Sequence, residues 1–425
     1  MTRSIQCLET GEHSMRLAFV VQRYGLDVNG GAEMECRRFA ERLSAHMDVE
    51  VITTCAEDHY TWRNVYPAGL DHVNGIPVWR FPVDRERNVA EFDRFTQRMM
   101  ARPHSYFDEI RWMELQGPIS SELLHFLEMR EKQYDLFFFV TFLYASTFLG
   151  LQAVSHKSVL FPTAHDDPWI RLSIFRPFFH LPRAFAFNTA EEQSLVHRLF
   201  RNEYIPSQVV GNGIDLAHLR SMAEPSPDIS IEAAQRVTAD DEYIVYVGRI
   251  DPSKGCDQLF EHFLRYKAQT SSRVKLVLIG KSTMSIPDHP DIVPLGFMRD
   301  GHYAWMKRAC ALVLPSTWES LSLVVVESLG LGVPVLVNGQ CDVLVGHCKR
   351  SNGGFYYYGY DEFAAALSFL LNCPELRRQL GQQGQEYVRQ NYDWTQVERR
   401  LVDWLSWIVS WVPEPWNPDQ SGGYA

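Results

Sequence analysis

Cys-x-x-Cys pairs and an excess of basic residues are both missing from this 425-residue sequence. None of the eight cysteines stands in a Cys-x-x-Cys motif, and no set of residues has the spacing of zinc ligands. We therefore expect ordinary thiols and no bound metal. Asp and Glu number 52 against 41 Lys and Arg, and the net charge of −11 gives no support to a nucleic-acid partner.

No secretory signal is evident either, because the first 14 residues are polar and a strand-like run begins at Met15. The uncharged run at residues 136–155 has the length of a membrane span. However, Leu136–Val140 is β-rich and polar residues interrupt the remainder, which predicts a buried strand followed by a helix. We expect a cytoplasmic protein.

The sequence does contain a long alternation of strand and helix patterns. Its length, with 46% apolar and 22% charged residues, favours two globular domains. Alternation of this kind predicts parallel, doubly wound sheets, which bind ligands at the carboxyl ends of their strands. In the first half, strands are predicted at residues 17–22, 49–53, 78–83, 136–140, 159–161 and 184–187, and helices at 32–44 and 190–201.

A proline-containing acidic linker at residues 222–241 precedes a second alternating block. Residues 88–132 do not fit this alternation, and we interpret them as a helical insertion. The predicted organisation is a flexible tail (1–14), a first Rossmann-like domain (15–218), a second Rossmann-like domain (219–393), and a C-terminal helix and tail (394–425). The predicted strands of the second block are 243–247, 274–279, 292–294, 311–314 and 334–337, and the helices are 256–266, 302–310, 322–330, 361–371, 374–390 and 394–411.

The strongest chemical feature is a pair of carboxylates, Glu319 and Glu327, eight positions apart. Eight residues of helix rise about 12 Å, whereas the paired carboxylates of glycosidases are about 5–9.5 Å apart. The pair therefore indicates one elongated ligand contacted at two points. Between them, Ser320–Ser322 should open a helix whose free N–H groups favour an anion such as a diphosphate. The alternative is an amphipathic core helix with two solvated glutamates.

A second feature follows the strand at 243–247. Gly248 and Gly255 permit a tight turn, and Arg249 and Lys254 supply two cations where a diphosphate would lie. A surface loop with solvated cations is the alternative. The P-loop pattern is absent, and so is any Asp-x-Asp motif, so a metal-bridged diphosphate is not predicted.

Two weaker features lie in the first half. Gly30 and Gly31 follow the first strand and open a helix, which allows backbone to approach a ligand or simply makes a turn. His165 follows a buried strand, where it can contact a reacting sugar or have a structural role.

Together these segments resemble the family-4 (group 1) glycosyltransferases, which have the GT-B fold of two Rossmann-like domains facing across a cleft. The resemblance covers nearly all of residues 15–411. It implies that residues 15–218 form the acceptor-side domain and residues 219–393 the nucleotide-sugar domain, and that the C-terminal helix and tail (394–425) pack on the first domain. The matching segments are NGGAE (29–33), TAHD (163–166), NGID (212–215), VGRIDPSKG (247–255), PSTWESLSLVVVESLGLGVPV (315–335) and YDW (392–394).

The resemblance implies a role for each site residue. Glu319 would hold hydroxyls of the donor sugar, Glu327 the ribose, and Arg249 and Lys254 the diphosphate, while His165 would lie near the anomeric carbon. The remaining donor-binding residues would be Gly30, Gly31, Gly248, Ser320, Leu321, Ser322 and Leu323, with Phe297 and Met298 framing the base.

The implied activity is retaining, metal-independent hexosyl transfer from a UDP- or GDP-sugar to a glycan or lipid-linked acceptor, in cell-surface polysaccharide assembly. No cofactor is expected beyond the nucleotide sugar. Two alternatives remain open: a nucleotide-sugar epimerase of the same architecture, and a non-catalytic partner subunit.

Tryptophans repeat along the last predicted helix, at Trp404, Trp407 and Trp411, with Trp416 beyond it. This pattern is expected of a helix face that packs on the first domain. It is also expected of peripheral contact with the inner face of a membrane.

Overall fold

The computed structural model describes residues 14–28, 30–224, 236–238, 240–298 and 301–412. Almost all of the predicted tail, Asn29 of the first glycine motif, most of the predicted linker and Trp416 lie outside the described residues. The seven cysteines within those ranges are free thiols, as expected.

The first sheet has eight strands in the order β3-β4-β2-β1-β5-β6-β7-β8. Every neighbouring pair is parallel except β3 with β4. The central strands are continuous apolar runs because helices cover both faces of the sheet. The strands are β1 Arg16–Val20, β2 Asp48–Thr54, β3 Gly69–Val73, β4 Ile76–Phe81, β5 Leu136–Val140, β6 Ser158–Phe161, β7 Ala184–Phe187 and β8 Ser207–Val209.

Residues 88–132 form a three-helix insertion, as predicted. Its middle helix stacks the ring of Trp112 on that of Trp169, with centroids 5.0 Å apart, so the insertion packs beside the loop that follows β6. The helices of this half are Gly31–Leu43, Val89–Ala101, Tyr106–Gln116, Ser121–Arg130, Ala145–Ala153, Phe175–Phe178, Ala190–Phe200 and Leu216–Met222.

The second sheet has six parallel strands in the order β11-β10-β9-β12-β13-β14. The strands are β9 Tyr243–Val247, β10 Lys275–Ile279, β11 Ile292–Gly296, β12 Ala311–Leu314, β13 Val335–Asn338 and β14 Gly354–Tyr357. The helices are Cys256–Gln269, His302–Arg308, Leu323–Gly330, Asp342–Ser351, Tyr360–Asn372, Pro374–Asn391 and Trp394–Ser410.

The last helix returns to the first domain, as predicted. Trp394, Leu401 and Leu405 are buried in the core cluster that contains β1. The helix Leu216–Met222 contains the predicted boundary between the two domains, which falls between residues 218 and 219. Its buried side chains pack in the core of the second domain, so here the chain passes from the first domain to the second. The chain therefore crosses between the domains twice.

Sequence pattern located nearly all of these elements, including the strand and helix that make up the uncharged run at 136–155. It missed the helices Phe175–Phe178, Leu216–Met222 and Asp342–Ser351. It also missed three short strands, β3, β8 and β14, which lie at the edges of the two sheets. Their side chains are largely half-buried or exposed, so they lack the apolar run on which the prediction depended.

Candidate active site

A cleft of about 330 Å³ lies between the two domains, where loops that follow four parallel strands converge. The loops after β1 and β6 face those after β9 and β12. The residues that line the cleft are Gly31, Ala32, Glu35, Thr163 and His165 of the first domain, and Arg249, Ser253, Lys254, Trp318, Glu319 and Ser320 of the second.

The structure brings Lys254 and Glu319 into direct contact. The Lys254 ammonium donates to Glu319 Oε1 at 2.8 Å, and both side chains are partly shielded from solvent. Their loops meet because Gly255 has a φ of +74°, and a Cβ there would lie 2.6 Å from the carbonyl oxygen of Pro315. The pair places one positive and one negative group side by side in the cleft.

Arg249 lies on the same loop. Its guanidinium pairs with Asp251 and lies 3.4 Å from the Ser253 hydroxyl, while more than half of its side chain stays exposed. Asp251 also caps the turn by accepting from the backbone N–H of Lys254 at 3.1 Å. The loop is thus held from within, and its cations are oriented before any ligand binds. Gly248, with a φ of +149°, begins this loop.

Glu319 precedes the helix that carries Glu327. The helix begins at Leu323, because Ser322 has a left-handed φ of +66° and ends the preceding loop. Helical rise therefore does not apply to the whole segment between the two carboxylates, since Glu327 lies on the helix and Glu319 does not. The first backbone N–H groups of a helix lack carbonyl partners within the preceding turn, so the start at Leu323 favours an anion nearby.

Glu327 lies in a second cavity, of about 210 Å³, between the same two domains. Its carboxylate accepts from the Tyr303 hydroxyl at 2.9 Å. Burial raises the pKa of Glu327, and the hydrogen bond from Tyr303 and the charge of Arg38 on the first domain oppose that rise. Sequence reasoning missed both Tyr303 and Arg38, which carry no motif.

His165 lines the cleft opposite Lys254 and Glu319. Its Nε2 lies 3.1 Å from Asp167 Oδ2, so the neighbouring carboxylate orients the ring. Asp167 in turn accepts from the backbone N–H groups of Trp169 and Ile170, at 2.9 and 3.1 Å. The ring is therefore held on a structured loop beside the cleft.

The two glycines of the first motif differ in role. Gly31 begins a helix and lines the cleft, whereas Gly30 lies over the buried Arg23–Glu33 ion pair, where a Cβ would overlap the Glu33 carboxylate. Of the two residues predicted to frame the base, Phe297 is 74% exposed and Met298 packs on the second core. Neither lines the two cavities, and base binding stays a prediction.

A buried acidic residue in the cleft escaped sequence analysis. Glu35 is 6% exposed, and burial raises its pKa from 4.5 to about 7 despite the opposing amides of Asn212 and Asn188. Glu192 is 1% exposed, and its pKa is raised to about 8 by burial and by the charge of Glu35. Three hydrogen bonds from backbone N–H groups oppose this rise. The only sequence signal was a carboxylate on the buried face of an amphipathic helix.

These two carboxyls should make stability fall as pH rises. Both have a folded pKa above the unfolded value, so their contribution is complete below about pH 4.5 and is lost as the pH rises through about 7 to 8. Each group contributes up to about 1.4 kcal/mol per pH unit in that window. We expect the midpoint temperature of thermal unfolding to drop between pH 4.5 and pH 8. This drop should be smaller for Glu35→Gln and for Glu192→Gln than for the wild type. Glu128→Gln, on an exposed helix position, should leave the drop unchanged, and equal drops in all variants would contradict the assignment.

The tryptophan repeat of the last helix divides between two environments. Trp404 is buried on the first domain, whereas Trp407 is 48% exposed and its ring lies 6.1 Å from that of Trp411. Within the described ranges, no helix combines the length and apolar character that crossing a membrane requires. Peripheral membrane contact stays a prediction.

Comparison with known proteins agrees with this geometry. Residues 229–387 match the family described as glycosyl transferases group 1. The D-inositol 3-phosphate glycosyltransferase of Kribbella flavida is 25% identical over 228 residues, a region covering 49% of this chain and 52% of that protein. The chain spans about half the length of the curated relatives it matches.

Solved structures resemble nearly the whole chain. An α,α-trehalose-phosphate synthase (UDP-forming) from Burkholderia vietnamiensis superposes with a TM-score of 0.71 at 13% identity, covering 94% of this chain and 98% of that one. Anabaena HepE in complex with UDP-glucose gives a TM-score of 0.62 at 17% identity, covering 92% and 99%. Residues 229–387 of the second domain are therefore similar to the group 1 glycosyl transferases, and the whole chain has the GT-B fold.

Proposed function

We propose that this protein transfers a hexose from a UDP- or GDP-sugar to a glycan or lipid-linked acceptor, with retention of the anomeric configuration. The observation that carries the proposal is the contact between Lys254 and Glu319 in the interdomain cleft, opposite His165 and next to a helix N-terminus. One cation, one carboxylate and free N–H groups match a diphosphate joined to a hydroxyl-rich sugar.

In the proposed reaction the bond between the anomeric carbon and the diphosphate breaks. Positive charge develops on the sugar ring and negative charge on the leaving phosphate, which Lys254, Arg249 and the helix that begins at Leu323 stabilise. The acceptor hydroxyl attacks from the face that the phosphate leaves, and its proton passes to a phosphate oxygen. No protein nucleophile and no metal ion take part, so EDTA should leave turnover unchanged.

The relatives narrow the first choice of donor. HepE was solved with UDP-glucose and a trehalose-phosphate synthase is UDP-forming, so UDP-glucose is the first donor to test. Several of the matched curated relatives are named D-inositol 3-phosphate glycosyltransferases, which makes soluble acceptors worth testing beside lipid-linked ones.

The deciding experiment is direct binding and slow hydrolysis of UDP-, GDP- and ADP-sugars without acceptor. We expect one clear donor, and Glu327→Ala should weaken its binding because the carboxylate lies on the helix beside the proposed diphosphate site. Glu375→Ala removes a carboxylate from an exposed surface pair and should bind donor normally. Conversion of a donor to an isomer would indicate an epimerase instead, and absence of binding to every donor would indicate a non-catalytic subunit.

A further inference from the structure

The loop that leads into the helix at Leu323 has an unusual backbone. Ser322 has a φ of +66° although it is not a glycine, and it is 8% exposed. A non-glycine residue in this region persists only when its surroundings hold it there. The two carbonyl groups that precede Ser322, those of Ser320 and Leu321, show what supplies that restraint.

The first carbonyl is held by the opposite domain. The Thr189 hydroxyl donates to the Ser320 carbonyl oxygen at 3.2 Å, across 131 residues of sequence. Thr189 is 1% exposed and caps the helix Ala190–Phe200, since its hydroxyl also accepts from the backbone N–H of Glu192 at 3.2 Å. The start of a first-domain helix therefore contacts the loop that carries Glu319.

The second carbonyl is held by a buried histidine. His347 Nε2 lies 2.7 Å from the Leu321 carbonyl oxygen, which can only accept, so this nitrogen carries the proton. The other ring nitrogen then accepts from the Tyr387 hydroxyl, 3.1 Å away. Burial lowers the pKa of His347 to about 4, which keeps the ring neutral and preserves this arrangement.

The histidine connects back to the same first-domain helix. Arg350 Nε donates to the Tyr387 hydroxyl at 3.4 Å, and the two terminal nitrogens of its guanidinium bind both carboxylate oxygens of Glu191. The Glu191 carboxylate can approach because residue 346 is a glycine, where a Cβ would overlap it. Thr189 and Glu191 thus hold the loop by two routes, one direct and one through Arg350, Tyr387 and His347.

We propose that Thr189 and Glu191 form an interdomain clamp, which sets the loop 319–322 in its donor-binding form when the two domains are closed. This inference rests on the proposed function, because it assigns the loop to a nucleotide-sugar donor. Neither Thr189 nor Glu191 lines the cleft that holds Lys254, so we assign both as positioning residues. They make donor affinity depend on domain closure, since each contact exists only while the domains meet.

The test is a double-mutant cycle on donor binding and turnover with Glu191→Gln, Arg350→Gln and both together. Each single substitution should raise the donor Kd and KM about tenfold, leave the acceptor KM unchanged, and lower the unfolding midpoint little because the pair is partly exposed. The donor Kd and KM of the double variant should be no higher than those of either single variant. Additive losses, or equal effects on donor and acceptor KM, would overturn the clamp.

Two further variants separate positioning from packing. His347→Gln keeps an N–H donor for the Leu321 carbonyl and should retain most donor affinity, whereas His347→Leu should lose it; equal affinities would contradict the histidine's role. Glu375→Gln, which breaks an ion pair within one exposed helix, is the matched control and should not change donor Kd. If the wild type binds no donor, the proposed function fails. If it binds and Glu191→Gln changes nothing, only the clamp fails.

Discussion

Replacing Lys254 by alanine is expected to lower turnover by about two to three orders of magnitude, the loss found when one oriented donor to a developing negative charge is removed. The ammonium lies in the cleft and contacts Glu319 at 2.8 Å, on a loop held by Asp251 and by the close approach at Gly255. Because the charge on the leaving phosphate grows during the reaction, the effect should fall mainly on kcat. Initial rates with saturating donor, identified in the binding panel, measure it.

Two controls make this result interpretable. Lys254→Arg keeps the charge and should recover part of the rate, while Lys132→Ala removes an exposed lysine from the first domain and should have no effect. Loss of Lys254 also leaves Glu319 without its cation, so the unfolding midpoint is recorded for each variant. Near-normal turnover of a folded Lys254→Ala enzyme would exclude the diphosphate assignment.

Replacing Glu33 by alanine is expected to cost about 3–5 kcal/mol of stability, the loss found when one partner of a buried ion pair is removed. The Glu33 and Arg23 side chains are 7% and 5% exposed. Glu33 Oε1 accepts from Arg23 Nε at 2.9 Å and from the Gln22 amide at 2.8 Å. The substitution would therefore leave a buried guanidinium without its carboxylate. Urea unfolding of the first domain measures the loss.

The charge and the packing of that pair can be separated. Glu33→Gln keeps an acceptor oxygen in the same volume and should cost less than Glu33→Ala. Replacing both residues together, with Arg23→Met and Glu33→Leu, should cost less than Glu33→Ala alone, because no charge is then buried unpaired. A double variant that is less stable than Glu33→Ala would show that the ion pair itself, rather than the penalty for breaking it, stabilises the domain.

The two glycines of the first motif have different surroundings. Their sequence predicted either a close approach of backbone to a ligand or a plain turn, and Gly31 lines the cleft. Gly30 instead leaves room for the Glu33 carboxylate, three positions along the helix. Backbone freedom could be predicted from the residue type, whereas the side chain that needs the space could not.

Local pattern was sufficient for most of the architecture. The buried strands are apolar runs of four or five residues, and the helices between them have one apolar face, so their order along the chain could be predicted. The motifs followed strands, and loops that follow parallel strands meet at one edge of a sheet. This reasoning placed Lys254, Glu319 and His165 in one cleft.

By itself, then, the sequence determined two doubly wound domains and the set of charged residues at the strand ends, because these depend on short-range periodicity and residue type. The return of the last helix to the first domain was implied by the family resemblance. The tertiary structure alone decided which groups meet: the left-handed Ser322 that ends the loop after Glu319, the buried carboxyls Glu35 and Glu192, and the contacts of Thr189 and Glu191 with the second domain. Those contacts join residues more than 130 positions apart. Local sequence patterns cannot predict these contacts, because burial and pairing arise only when separate elements pack together.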